Sequence, residues 1–230
     1  MYFLYNLSVL ITGFFLRIIA LFNKKINLFV DGRKTVFQQL ENEISSTDKT
    51  IWIHCASLGE FEQGRPIIEE LKKRYTHHKI VLTFFSPSGF EVQKNYKEAD
   101  VICYLPLDSK SNAERFLNLV HPEIAIFVKY EFWPNYLREL KNRKTETILV
   151  SGIFRKDQTF FKSQGSWMRR SLQTFSHFFV QDANSKELLN SIGLNNVFIS
   201  GDTRFDRVSQ ITNQDNSLDF IEQFKGDDLL

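Results

Sequence analysis

From residue 50 onward, short apolar segments alternate with amphipathic ones, and this alternation constrains the fold of the 230-residue chain more than any other feature. The apolar segments have the length of strands and are apolar on both faces. We predict strands over 51–55, 80–84, 101–104, 124–128, 147–150, 177–180 and 197–199. We predict helices with one charged face over 61–75, 87–96, 112–120, 133–143 and 185–192. The pattern indicates an α/β fold, a Rossmann-like parallel sheet with helices on both sides.

The first 22 residues form an apolar run with few polar interruptions. At about 1.5 Å per helical residue, this run nearly matches the thickness of a bilayer core. It lacks the basic start and the cleavage pattern of a secretory signal, so we expect a membrane-anchoring helix over 1–25. A spanning helix, a helix flat in the interface and a buried helix of a soluble protein all remain open. Lys24, Lys25, Arg33 and Lys34 follow and place the rest of the chain on the cytoplasmic side.

Composition argues against several classes of protein. The net charge of +2 gives no field strong enough to indicate nucleic acid. Cys55 and Cys103 lie in apolar segments without metal or redox spacing, which is typical of core residues in a reducing compartment. The sequence has no Gly-x-Gly-x-x-Gly, phosphate loop, Asp-x-Asp pair or helical histidine pair. Dehydrogenase, phosphate-loop and metalloenzyme functions are therefore disfavoured.

The loop after the first strand carries Ser57, Gly59 and Glu60 at the start of a helix. Ligands of parallel sheets bind at the carboxyl ends of the strands, so such loops hold the candidate site. Ser57 and Glu60 have the spacing of a capping box, in which each side chain bonds the other residue's amide. In the alternative, Gly59 lets a substrate approach the backbone and Glu60 accepts a proton from an attacking hydroxyl.

The loop after the second strand carries Ser86, Pro87, Ser88 and Gly89. Ser86 is a predicted helix cap with Pro87 at the first helical position. The amides of this turn either hold a phosphate or sugar carboxylate or bind only their own helix.

The loop after the fourth strand places Lys129, Glu131 and Trp133 just before a helix. A cation, an anion and a large aromatic side chain at the rim of the sheet suggest a functional site. The alternative is an ion pair between Lys129 and Glu131, with Trp133 filling a groove between helix and sheet.

Two arginines, Arg155 and Arg204, follow the fifth and the last strands. Arg204 either holds a phosphate or carboxylate through its planar fork or pairs with Asp202 or Asp206. The local sequence does not decide between these alternatives.

Six short motifs after the apolar run resemble one family in their order and spacing. They are Gly32-Arg33, His54 to Glu60, Thr83 to Gly89, Tyr104 to Asp108, Glu131 to Asn135 and Gly201 to Asp206. Together they resemble the bacterial 3-deoxy-D-manno-octulosonic acid (Kdo) transferases, glycosyltransferases of lipopolysaccharide synthesis. The similarity runs across nearly the whole chain.

The resemblance implies the amino-terminal half of a B-type glycosyltransferase. It implies a Rossmann-like acceptor-binding domain over 26–207, and a linker and the start of a missing donor-binding domain over 208–230. The implied reaction transfers Kdo from CMP-Kdo to the lipid A precursor (lipid IVA) with inversion, without metal or cofactor, at the cytoplasmic face of the bacterial inner membrane. Members are roughly twice this length, so we expect this chain to be inactive alone.

The resemblance also implies roles for individual residues. Glu60 matches the proton acceptor. Lys129 lies where many members carry a glutamate that stabilises the transition state, so this role passes to Glu131 or Lys129 contacts the anionic acceptor. Arg204 replaces a lysine with the same role. Substrate contacts are expected from Ser57, Gly59, Ser86, Ser88, Gly89 and Arg155.

Two other functions remain open. One is a membrane-tethered α/β module that binds an anionic lipid without turnover. The other is a different nucleotide-sugar transferase of the same fold.

Overall fold

The computed structural model of the chain describes residues 2–205. Its strands are β1 (Lys49–Cys55), β2 (His78–Phe84), β3 (Val101–Tyr104), β4 (Ile124–Val128), β5 (Glu146–Gly152), β6 (His177–Val180) and β7 (Val197–Ile199). They form one sheet in the order β3-β2-β1-β4-β5-β6-β7, and all neighbours are parallel. The predicted Rossmann-like parallel sheet is confirmed.

The helices cover both faces of this sheet. They are α1 (Tyr2–Ala20), α2 (Lys24–Asp31), α3 (Val36–Glu43), α4 (Leu58–Arg74), α5 (Pro87–Gln93), α6 (Lys110–Val120), α7 (Pro134–Arg143), α8 (Ser166–Leu172) and α9 (Ala183–Ser191). Two 3₁₀ turns, Thr159–Phe161 and Ser163–Gly165, precede α8. The five helices predicted between the strands correspond to α4, α5, α6, α7 and α9.

Alternate side chains of each central strand enter different cores. Trp52 of β1 packs against Phe116 and Tyr136 on the face covered by α6 and α7. Ile51 and Ile53 enter the opposite core, with α4. Because both faces are filled, the strands read as continuous apolar segments in the sequence.

Helix α1 lies along the surface of the α/β domain. Its less exposed positions, Tyr2, Tyr5, Asn6, Val9, Gly13, Leu16 and Ala20, recur every three or four residues and so form one face of the helix. Tyr5 donates to Asp108 Oδ2 at 2.7 Å, and Asn135 Nδ2 donates to Asn6 Oδ1 at 2.8 Å. The apolar side chains of the opposite face, such as Leu10 and Phe14, are exposed.

Asp108 connects α1 to the start of α7. Its side chain is 2% exposed, and besides the bond from Tyr5 it accepts from the Asn135 and Tyr136 amides, each at 3.0 Å. These amides belong to the first turn of α7, where no backbone carbonyl is in reach. Asp108 therefore caps α7 from a distant part of the chain. Burial raises the pKa of Asp108, and the three donors oppose this shift.

Arg33 fixes α2 against the sheet. Its guanidinium donates to the Leu105, Phe29 and Phe85 carbonyls at 2.9, 2.7 and 2.7 Å. It also lies 3.6 Å from the centre of the Phe29 ring and 4.9 Å from those of Phe85 and Tyr104. Burial lowers the pKa of Arg33 to about 9, so the group is charged at neutral pH.

Candidate active site

The order of the strands reverses between β1 and β4. The chain runs from β1 outward to β2 and β3, then returns to pair β4 with the other side of β1. In open parallel sheets, the crevice beyond the carboxyl ends at such a switch point is the usual ligand site. The loops that flank this crevice are those that carry Glu60 and Glu131.

Glu60 lies in the first turn of α4 and is half-buried. The Ser57 hydroxyl donates to Glu60 Oε2, and no hydrogen bond from the described residues reaches Oε1. The predicted capping box is wrong, because the Ser57 hydroxyl accepts no helix amide and bonds the carboxylate itself. Ser57 thus orients the carboxylate and leaves one oxygen free to accept a proton.

Gly59 is exposed beside Glu60. A Cβ built at this position has only Ser57 Oγ near it, at 3.8 Å. The backbone here is open on the solvent side, and close approach of a substrate stays a prediction.

Glu131 belongs to a polar network on the other side of the crevice. Trp133 Nε1 donates to Glu131 Oε2 at 2.9 Å, and His54 Nε2 lies 3.2 Å from the same oxygen. His54 is fully buried, and its Nδ1 lies 2.8 Å from the Thr83 hydroxyl. Trp133 also packs on Phe85, with the ring centres 4.5 Å apart.

Lys129 does not form the predicted ion pair with Glu131, whose carboxylate is held by Trp133 and His54 instead. Its ammonium lies 5.5 Å from the centre of the Tyr130 ring. The backbone of Lys129 is left-handed, with φ of 71°, a conformation that costs a non-glycine residue about 1–2 kcal/mol. Such strain at the end of a strand is characteristic of functional loops.

The loop between β2 and α5 packs against the loop that carries Ser57. Ser86 caps α5 as predicted, since its hydroxyl accepts from the Ser88 amide at 3.3 Å. Its carbonyl accepts from the Gly89 and Phe90 amides. Gly89 is buried, and a Cβ there would lie 2.3 Å from the Phe84 ring. The amides of this turn therefore bind their own cap, and the Ser86 and Ser88 hydroxyls bond each other at 3.0 Å. Substrate contacts by these two serines stay a prediction.

The segment after β7 is tied to α4, one turn beyond Glu60. The buried Gln63 side chain donates to Asp202 Oδ1 at 3.0 Å, and the Thr203 hydroxyl donates to the Gln63 carbonyl at 2.6 Å. Asp202 in turn accepts from Arg204 Nε at 2.9 Å. The pairing of Arg204 with Asp202, one of those left open by the sequence, is formed, and Asp206 lies outside the described residues. The bonds from Arg204 lower the pKa of Asp202 to about 2.

The carboxylates that flank the crevice also act on Cys55. Burial raises the pKa of this thiol, and the negative charges of Glu60 and Glu131 raise it further.

Arg155 is exposed in the loop after β5 and is not connected by hydrogen bonds to the loops described above. The structure thus places Glu60, Glu131 and Lys129 in the loops that flank the switch point, and it joins the Arg204 segment to α4.

The sequence did not reveal Gln63 as a residue of this edge, nor its bonds to Asp202 and Thr203. Gln63 falls within the pattern of an ordinary amphipathic helix, and its partners lie about 140 residues away. A polar residue on the buried face of a predicted helix was the one available signal.

The strand order and the charged loops at its switch point define a Rossmann-like α/β domain. A family model described as 3-deoxy-D-manno-octulosonic-acid transferase matches residues 31–207. The chain therefore belongs to the Kdo transferase family.

Individual relatives agree with this membership. The chain is 32% identical over 157 residues to a 3-deoxy-D-manno-octulosonic acid transferase of Aquifex aeolicus, covering 67% of this chain and 40% of the relative. It is 34% identical over 102 residues to the protein of that name from Haemophilus influenzae, covering 44% and 24%. The chain thus spans less than half the length of these relatives.

Among solved structures, a putative UDP-N-acetylglucosamine 2-epimerase from Listeria monocytogenes has a similar fold. It superposes with a TM-score of 0.57 at 13% identity, over 79% of this chain and 52% of that one. At this identity the likeness supports the fold alone.

Proposed function

We propose that this chain is the acceptor-binding half of an enzyme that transfers Kdo from CMP-Kdo to the lipid A precursor lipid IVA. The observation that carries the proposal is the Glu60 carboxylate, which is held by Ser57 at the switch point and has one oxygen that receives no hydrogen bond from residues 2–205. Family membership supports the reaction class, and the bond from Ser57 supports Glu60 as the base.

In the proposed reaction, Glu60 accepts the proton of an acceptor hydroxyl. The hydroxyl oxygen forms a bond to the anomeric carbon of Kdo while the bond from that carbon to the CMP phosphate breaks. Attack from the face opposite the leaving group inverts the configuration, and CMP departs with the bonding electrons. Positioning supplies most of the rate, because a carboxylate is a weak base.

The charged groups at this edge have distinct proposed roles. Arg204, fixed through Asp202 and Gln63, is a cation that offsets negative charge on the departing phosphate. Lys129 contacts the anionic acceptor. Glu131 holds His54 and Trp133 in place at the wall of the crevice.

We propose that CMP-Kdo binds to a donor domain outside these residues. The relatives are more than twice as long as the segment they share with this chain. We expect the purified 230-residue chain to release no CMP from CMP-Kdo. Robust transfer by this chain alone would contradict the proposal.

The test of the base is Glu60→Gln in a version of the protein completed with a donor domain. We expect the rate of Kdo transfer to fall by about 10²–10⁴-fold while lipid IVA binding is retained. Glu70→Gln, an exposed site on the same helix, is the matched control. A Glu60→Gln enzyme that keeps a tenth or more of the rate would refute the role. Lipid binding without transfer in the completed wild-type protein would indicate a binding module.

We further propose that α1 lies flat at the cytoplasmic face of the inner membrane. Among the described residues, α1 is the helix that is long and apolar enough to span a bilayer. However, its inner face contacts the domain from Tyr2 to Ala20, so spanning would draw the buried Asp108 and Asn135 to membrane depth. Its outward apolar face suits an interfacial helix.

Spin labels at Leu4→Cys and Ile18→Cys, both at exposed positions, distinguish the two orientations. We expect equal, shallow depths in lipid vesicles. A spanning helix would separate the two labels in depth by about 20 Å.

A further inference from the structure

A basic cleft lies beside the amino-terminal end of α1. Arg138 and Lys141 of α7 and Arg170 of α8 line it, together with Tyr2 and Ser171. Its volume is about 390 Å³. The cleft is distinct from the Glu60 crevice, because it opens between two helices that cover one face of the sheet.

The three cations of this cleft lack acidic partners. Within residues 2–205, neither arginine nor the lysine forms an ion pair, whereas the nearby Arg143 is bonded to Glu139 at 2.8 Å. Arg138 lies instead over the Tyr2 ring, 5.3 Å from its centre. Three like charges around one cleft repel one another, so the arrangement favours an anion between them.

Ser171 provides a second, independent observation. Its side chain is 3% exposed, and its hydroxyl has no hydrogen-bond partner in the structure. A buried hydroxyl without a partner is unfavourable. Rotation of the Ser171 side chain toward the cleft would let this hydroxyl donate to an acceptor oxygen bound there.

We propose that this cleft binds the phosphate monoester of a membrane lipid. A monoester carries up to two negative charges and three acceptor oxygens, which match three cations and one hydroxyl donor. A diester has less charge and fewer free oxygens. The lipid source follows from the position of the cleft at the end of α1, and this step rests on the proposed flat orientation of that helix.

The test compares binding of the full 230-residue chain to two kinds of vesicle. Phosphatidylcholine vesicles contain either phosphatidic acid, a monoester, or phosphatidylglycerol, a diester, at matched zeta potential. We expect about tenfold tighter binding to phosphatidic acid. Ser171→Ala, which changes no charge, should reduce this preference severalfold, with the exposed Ser191→Ala as its control.

The double variant Lys141→Gln/Arg170→Gln should abolish the preference for phosphatidic acid. The control Lys73→Gln/Lys97→Gln makes the same change of charge at exposed positions elsewhere and should retain this preference. Equal effects of the two double variants would overturn the proposal, because surface charge alone would then explain binding. Equal wild-type binding to both lipids would also overturn it. Competition by inorganic phosphate as strong as that by phosphatidic acid would overturn the lipid assignment. Binding to phosphatidylglycerol vesicles reports the membrane docking of α1 separately. If the wild-type chain does not bind these vesicles, the proposed flat orientation of α1 is wrong.

Discussion

The substitution Asp108→Asn tests how the amino-terminal helix and α7 depend on one carboxylate. Asp108 accepts from the Tyr5 hydroxyl and the Asn135 amide through Oδ2, and from the Tyr136 amide through Oδ1. Asparagine keeps the size of the side chain but has one acceptor oxygen. One first-turn amide of α7 would then face an NH₂ group.

The magnitude follows from the contacts that change. An unsatisfied buried amide costs about 1–3 kcal/mol, and loss of a negative charge at a helix start costs about 0.3–1 kcal/mol more. Removal of a buried charge offsets part of this loss, and the raised pKa of Asp108 reflects that burial. We expect the free energy of unfolding to fall by about 2 kcal/mol.

Urea unfolding of the full chain in detergent, followed by tryptophan fluorescence, provides the measurement. The exposed Asp157→Asn is the matched control and should change stability by less than about 0.5 kcal/mol. Tyr5→Phe removes one of three donors and should cost about 1 kcal/mol. Its effect should be smaller in the Asp108→Asn background, because the two side chains share a bond. An Asp108→Asn protein as stable as the control would refute the capping argument.

Three further predictions concern the crevice and the segment after β7. Gly59→Ala should leave the free energy of unfolding within about 0.5 kcal/mol of wild type but slow Kdo transfer in the completed enzyme about tenfold. Gly89→Ala, in contrast, should unfold at lower urea concentration, because its Cβ meets Phe84. An unchanged transfer rate in Gly59→Ala would contradict close approach of the substrate. Gln63→Leu should increase amide hydrogen exchange over residues 201–205, and unaltered exchange would show that the Gln63 side chain does not fix this segment. Because the folded pKa of Asp202 is depressed to about 2, its stabilisation is present above its usual value of 3.8 and is lost as the pH falls through about 2. The difference in urea midpoint between wild type and Asp202→Asn should therefore shrink over this window, and a constant difference would count against the bond to Arg204.

The sheet could be predicted from the sequence because each strand is buried on both faces. All seven predicted strands are present, and β1, β2 and β5 extend one or two residues beyond the predicted bounds. The helices α2, α3 and α8 were not predicted, since each has only seven or eight residues, too few for a clear periodicity, and none begins with the Ser-Pro pair that marks the equally short α5. The predicted domain bounds at 25 and 207 remain predictions.

The sequence predicted which residues lie in the loops of the candidate site, but not the hydrogen bonds that these residues form. The position of Glu60 at the rim followed from local sequence, but the partner of the Ser57 hydroxyl did not, because the capping box and the observed side-chain bond share one spacing. Glu131 bonds His54, 77 residues away, so no local pattern could reveal that the Lys129 pair would not form.

The contact between Tyr5 and Asp108 bears on how a soluble form of this protein is prepared. Deleting the first twenty residues would remove the exposed apolar face of α1, but it would also remove the Tyr5 hydroxyl that donates to Asp108, the residue that caps α7. Replacing Leu10 and Phe14 with glutamate, in contrast, changes side chains that are 64% and 61% exposed and leaves the packed side of the helix in place. For expression without detergent, substituting the exposed apolar residues of α1 is therefore a better choice than truncation.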